Sequence, residues 1–225
     1  MTDRDRASCG CVEAVVFDMD GIIFDTEPLY LEAGRELLAR RGHHLPLESG
    51  VRIIGMTTLG GMRFFKEAFS LPNSEVDLAA EYEAIFWDLR TRGLRLMPGL
   101  LDLLDQMEAR GLMKAIATSA SPDVTADLLE TFHLTPRFAF ALTAQDVACG
   151  KPHPEIYRKA CSRLGLRPGR VLVLEDSLNG VLAAKEAGCG CVAVPNELTC
   201  HLDFSAADLT VSHLMDERLL ARLGR

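Results

Sequence analysis

Short, largely apolar runs separated by segments of helical period constrain this chain most. Ala14-Val15-Val16-Phe17, 113–117, 171–174 and 191–194 read as strands, with weaker ones near 138–142 and 208–211. A strand wetted on one face alternates apolar and polar residues, whereas one covered on both faces is apolar throughout. Helical segments lie between the runs: 100–110 ending at Gly111, Ser121-Pro122 to about His133, Pro154 to Gly165, 178–187 before Gly188, and 214–222. Alternating helices and buried strands predict an α/β fold, a Rossmann-like doubly wound parallel sheet with helices on both faces.

The alternation is interrupted after the first strand. From Glu27 to about Gly93 the pattern is helical, with helices at Leu29 to Arg41, Thr57 to Phe69 and Ser74 to Leu89; Leu96-Met97-Pro98-Gly99 marks its end. The expectation is an α/β core of residues 1–27 and 96–225, with residues 28–95 inserted as an all-helical unit. With 24 basic and 32 acidic residues the net charge is −8. A chain so acidic, with no basic stripe, is expected to bind neither nucleic acid nor anionic membrane. No apolar run approaches the roughly 18 residues that span a bilayer, and the polar start Met1-Thr2-Asp3-Arg4 is unlike a signal peptide. A cytoplasmic protein is expected. Seven cysteines, an odd number, form no disulfide framework, and the pairs Cys9/Cys11 and Cys189/Cys191 read as tail and core residues rather than a metal site. Nothing in the pattern sets an oligomeric state.

In doubly wound sheets, ligands bind beyond the carboxyl ends of the strands. The first strand ends in Asp18-Met19-Asp20-Gly21, two carboxylates spaced to point the same way. The second ends in Thr118-Ser119-Ala120-Ser121-Pro122, where Ser121 as N-cap and Pro122 at the first helical position leave free N–H groups for an anion. After the third comes Gly150-Lys151-Pro152, and after the fourth Glu175-Asp176-Ser177. Alone, each has a plain reading as a surface loop, a helix cap or a solvated lysine. Together they set four carboxylates against one lysine. Two like charges about 4 Å apart repel by roughly 4 kcal/mol at an effective dielectric near 20. A phosphate would add to that, so a divalent cation is required, and an all-oxygen ligand set favours Mg²⁺.

Asp18-Met19-Asp20-Gly21 with Asp25-Thr26, then Ser119, Lys151-Pro152 and Glu175-Asp176, in that order, resemble the signature segments of the haloacid dehalogenase superfamily, in its phosphatase and phosphomutase branch. The likeness spans nearly the whole chain beyond the first dozen residues. It implies that the insert is a small helical cap hinged at Asp25–Pro28 and Pro98–Gly99. It also implies that Asp18 is a nucleophile forming an aspartyl-phosphate and that Asp20 is the acid and then the base. Mg²⁺ would be held by Asp18, the Asp20 carbonyl and Asp176, with Glu175 ligating directly or through water. Ser119, the Ala120 N–H and Lys151 would bind the phosphoryl oxygens, and the cap loop Gly55, Met56, Thr57 and Thr58 would close over the leaving group. The partner is then a small phosphate ester, a sugar or polyol phosphate, because the loop carries no charge. A β-phosphoglucomutase-like mutase is the alternative. The mutases' cap Arg, Lys and His fall at Thr58, Ile85 and Tyr30, which favours hydrolysis. A non-catalytic phosphometabolite-binding protein is disfavoured because no catalytic position is lost.

Overall fold

A computed structural model describes residues 12–53, 56–90, 93–197 and 199–224. The chain runs β1 (Ala14–Phe17), α1 (Glu27–Ala39), α2 (Leu47–Arg52), α3 (Thr58–Phe69), α4 (Glu75–Arg90), α5 (Leu100–Ala109), β2 (Met113–Ala117), α6 (Pro122–Thr131), β3 (Ala141–Leu142), α7 (Glu155–Leu164), β4 (Val171–Glu175), α8 (Leu178–Glu186), β5 (Gly190–Ala193), β6 (Leu209–Thr210) and α9 (Glu217–Leu223). The strands form one sheet in the order β3-β2-β1-β4-β5-β6, every pairing parallel. Phe17 stands level with Ile116 on one side and Leu174 on the other.

The apolar runs are explained by the two faces of this sheet. Val15 and Phe17 point into a cluster with α5 and α6, while Ala14 and Val16 point into a second cluster with α7 and α8. Both faces are covered, so no polar residue is needed on either. The order reverses at β1: β2 and β3 lie to one side, β4 to β6 to the other. That reversal opens a crevice beyond the carboxyl ends of β1 and β4, where Asp18 and Asp176 lie.

The helices α1 to α4 are all inserted between β1 and β2. α1 packs on α4, with the Tyr30 ring stacked 4.2 Å from that of Phe86, and the Tyr82 hydroxyl donates to the Tyr30 carbonyl at 3.0 Å. The insert leaves and rejoins the core through adjacent backbone. Asp25 N–H donates to the Arg95 carbonyl and Met97 N–H to the Ile23 carbonyl, both at 2.9 Å, and Phe24 pairs antiparallel with Leu96.

Most expected elements appear within a few residues. One helix was not expected: α2, whose six residues are too few to show a helical period. The helix expected to reach His133 stops at Thr131, and His133 itself takes a left-handed φ of 55°. Replacing Phe86, fully buried beneath Tyr30, by Ala should destabilise the protein by about 3–5 kcal/mol. Urea unfolding measures this, and a loss below about 1 kcal/mol would show that the ring does not hold the insert's core.

Candidate active site

The end of β1 delivers Asp18 to the crevice, anchored by its N–H to the Leu174 carbonyl of β4 at 2.9 Å. Gly21, with φ +71°, turns the chain back immediately. A side chain there would overlap the Asp176 carboxylate, so the missing Cβ is the space Asp176 occupies. Gly180 does the same for Glu175, which a Cβ would overlap.

Lys151 is buried at the centre. Its ammonium donates to Asp18 Oδ1 and to Glu175 Oε1, each at 2.6 Å, and to the Ala117 carbonyl at 3.0 Å. An ammonium has three N–H donors, and all three are engaged. Glu175 Oε1 also accepts from the Tyr157 hydroxyl at 2.6 Å, and Oε2 from the Ser177 hydroxyl at 2.9 Å and N–H at 3.2 Å. Asp176 Oδ2 accepts from Asn196 Nδ2 at 2.9 Å. The Asp20 carboxyl has its own donor, the Thr26 hydroxyl, which reaches its Oδ1 at 2.6 Å.

Burial dominates the electrostatics. It pushes the Asp18 carboxyl up to about 8, against the pull of Lys151 and with further upward pushes from Glu175 and Asp20. Burial likewise lifts Asp20 to about 6, opposed mainly by the Thr26 hydrogen bond. The Lys151 ammonium is held above its ordinary value: Asp18 and Glu175 together outweigh its burial, the largest single influence. One cation is thus too little for the carboxylates around it. Ligand oxygens of Asp18, Glu175 and Asp176 lie within 4.8 Å of one another. This all-oxygen, buried, negatively charged set fits a hard dication.

A cavity of about 70 Å³ joins this floor to the helical insert. Asp18, Asp20, Ser119 and Ala120 line it from the core; Tyr30, Met56, Thr57, Thr58, Met62 and Tyr82 are among the insert residues that line it. Thr57 caps α3 through Gly60 N–H at 3.2 Å, and it also presses on Gly150, where a Cβ would stand 2.7 Å from its methyl. The expected residues Asp18, Asp20, Ser119, Ala120, Lys151, Glu175, Asp176, Met56, Thr57 and Thr58 are therefore gathered together, while Gly55 lies outside the described residues. Cys9 and Cys11 lie outside them too. Cys189 sits 3.5 Å from Cys161, sulfur to sulfur, and Cys191 is buried on β5, so both are packing residues. Ser121 caps α6 as expected, by accepting from Val124 N–H.

Three partners escaped the sequence reading. Tyr157 sits at an apolar position of α7 and gave no signal. Ser177 was read only as a helix cap, which it also is, accepting from Gly180 N–H at 3.1 Å. Asn196 follows the end of β5, and reading that fifth strand end would have found it.

A family model described as haloacid dehalogenase-like hydrolase matches residues 12–188. The chain belongs to this family. It is 35% identical over 181 residues to a phosphorylated carbohydrates phosphatase of Thermotoga maritima, covering 79% of this chain and 82% of that protein. It is 35% identical over 207 residues to a probable pseudouridine-5'-phosphatase of Drosophila melanogaster, covering 89% of each. Among solved structures, a CbbY variant of Rhodobacter sphaeroides in complex with xylulose-(1,5)bisphosphate superposes with a TM-score of 0.83 at 30% identity, covering 94% of this chain and 99% of that one. No helix among the described residues is long and apolar enough to cross a membrane.

The raised carboxyls make a pH prediction for metal-stripped protein. An unfolded Asp ionises near 3.8, whereas folded Asp18 and Asp20 hold their protons to about 8 and about 6. Their contribution to stability is full below about pH 4 and is lost as pH rises towards 8. In EDTA, the unfolding free energy should fall across this window more steeply for the native protein than for Asp18→Asn. Added Mg²⁺ should stabilise more at pH 8 than at pH 5. Parallel pH profiles for the two proteins would contradict this account of the charge balance.

Proposed function

We propose that the protein is a Mg²⁺-dependent phosphatase that hydrolyses a small phosphorylated metabolite, a sugar or polyol monophosphate, through an aspartyl-phosphate on Asp18. The observation that carries this is the different setting of the paired aspartates. Asp18 is ion-paired with Lys151, the Asp20 carboxyl accepts from Thr26, and both aspartates line the cavity.

Asp18, the Asp20 carbonyl and Asp176 would hold the cation, with Glu175 ligating directly or through water. The cation supplies the positive charge that keeps Asp18 ionised and neutralises the phosphoryl oxygens. The Asp18 carboxylate forms a bond to phosphorus as the ester P–O bond breaks, and the Asp20 carboxyl gives its proton to the departing oxygen. Asp20, now a carboxylate, takes a proton from water as that water attacks the aspartyl-phosphate. Phosphate leaves, and Asp18 is restored. A carboxyl near 6 suits this exchange at neutral pH. Ser119, the Ala120 N–H and Lys151 would hold the phosphoryl oxygens, with Lys151 exchanging its Asp18 contact, and the Ala120 N–H its 3.0 Å bond to Thr118 Oγ1, for one of them.

The inserted helices would act as the cap, residues 28–95, moving on the paired link at Asp25 and Arg95. The described residues of the cavity wall include no Lys, Arg or His. Arg63 instead pairs with Glu75 at 3.2 Å, and Arg52 lies 4.9 Å over the Phe64 ring. A wall of Tyr30, Met56 and Met62 suits the C–H face of a neutral leaving group rather than a second phosphate, which also disfavours the mutase reading. The name of one relative, a phosphorylated carbohydrates phosphatase, supports the same class, and that of the probable pseudouridine-5'-phosphatase supports hydrolysis of a small phosphate monoester.

Asp18→Asn should lower kcat by on the order of 10⁴-fold or more, and Asp20→Asn by roughly 10²- to 10⁴-fold, with phosphoryl-enzyme trapped only in the latter. Wild-type turnover in either variant would refute the roles. In a hydrolysis screen, sugar or polyol monophosphates should give higher kcat/KM than bisphosphates, nucleotides or phosphoglycolate. Given β-glucose 1-phosphate with a trace of the 1,6-bisphosphate, the protein should release free phosphate. Formation of the 6-phosphate would make it a mutase.

A further inference from the structure

The loop that carries Lys151 inward presents a second set of ligating side chains on its outer side. Cys149 and His153 are exposed, and Glu155 is half-buried in the first turn of α7. Their ligating atoms lie within 4.8 Å of one another. We infer that Cys149, His153 and Glu155 form a site for a soft divalent cation of the Zn²⁺ type, separate from the cluster around Asp18.

Donor chemistry separates the two sites. Carboxylates alone select a hard cation, whereas a thiolate and an imidazole select Zn²⁺ and its neighbours. Three protein ligands with water as the fourth make a complete tetrahedral set. The backbone holds Glu155 in place and shapes the turn that carries Cys149 and His153. The N–H groups of Ala148 and Cys149 donate to Glu155 Oε2 at 3.1 and 3.0 Å, and Lys159 pairs with Oε1 at 2.7 Å. His153 N–H closes a turn onto the Gly150 carbonyl at 3.0 Å. Zinc-ligand bonds of about 2.0–2.3 Å set tetrahedral ligand atoms roughly 3.3–3.8 Å apart. The two exposed side chains therefore swing inwards to close the site, and Cys149 gives its thiol proton to solvent as it binds.

The location gives the site a consequence. Cys149 and His153 bracket Gly150-Lys151-Pro152, in which Gly150 meets Thr57 of the insert and Lys151 reaches Asp18 and Glu175. A cation that draws the ends of this segment together shifts Lys151, so Zn²⁺ inhibits turnover and excess Mg²⁺ does not relieve it. This inhibition rests on the phosphatase reading; the binding does not.

The test titrates Co²⁺ into full-length, Mg²⁺-saturated protein and follows the near-ultraviolet thiolate-to-cobalt charge-transfer band, which an all-oxygen site cannot produce. One Co²⁺ per chain should bind with this band. Cys149→Ser should abolish the band while keeping its unfolding midpoint and Mg²⁺-dependent turnover, and His153→Ala should bind Co²⁺ more weakly. Absence of the band in the native protein, or its persistence in Cys149→Ser, overturns the site. Equal Zn²⁺ inhibition of native protein and Cys149→Ser overturns the link to Lys151. A band that behaves as expected in a protein hydrolysing no phosphate ester would leave the site standing and remove the proposed function.

Discussion

One buried ammonium ties the molecule's working parts together. Lys151 joins the end of β1 through Asp18, the end of β2 through the Ala117 carbonyl and the end of β4 through Glu175. Glu175 extends the network to α7 through Tyr157 and to the start of α8 through Ser177. Without the ammonium, two buried carboxylates would face each other with no positive charge between them. Breaking such a buried pair by removing one partner typically costs about 3–5 kcal/mol. Lys151 is thus a structural member of the crevice, and it leaves the site short of positive charge.

That shortage follows from topology. β1 is central, and its neighbours β2 and β4 end beside it, so three strand termini deliver polar residues to one crevice. Packing them so closely requires places with no side chain at all. Gly21 and Gly180 supply them beside Asp176 and Glu175. The acids gather because the backbone beside them is bare, and the dication the site calls for answers the charge that gathering creates.

Much of this was legible in the sequence, for identifiable reasons. β1, β2, β4 and β5 stood out because burial on both faces removes nearly every polar interruption, Lys114 of β2 excepted, and strand-end residues could be assigned to one site because parallel topology leaves them nowhere else to converge. β3 and β6 have two residues each and read only weakly. α2 was invisible for want of a full period. Tyr157 looked like one more core aromatic, since its partner Glu175 is distant in sequence and nothing local marks a hydroxyl that must be satisfied. Glu175 reads from sequence as a metal ligand; its grip on Lys151 depends on a long-range approach that no spacing encodes. Cys149 and His153 fell in a loop of no evident pattern and came together only when the turn at Gly150 was seen.

The paired backbone link at Asp25 and Arg95 has an evolutionary consequence. The two ends of the helical insert are hydrogen-bonded neighbours, so the insert occupies a single doorway in the core. Close termini are the condition under which one module is spliced into another without disturbing its host. Helices of other lengths and linings can be exchanged through that doorway while every strand keeps its register. The history of the sheet and the history of the helical insert are thereby separable.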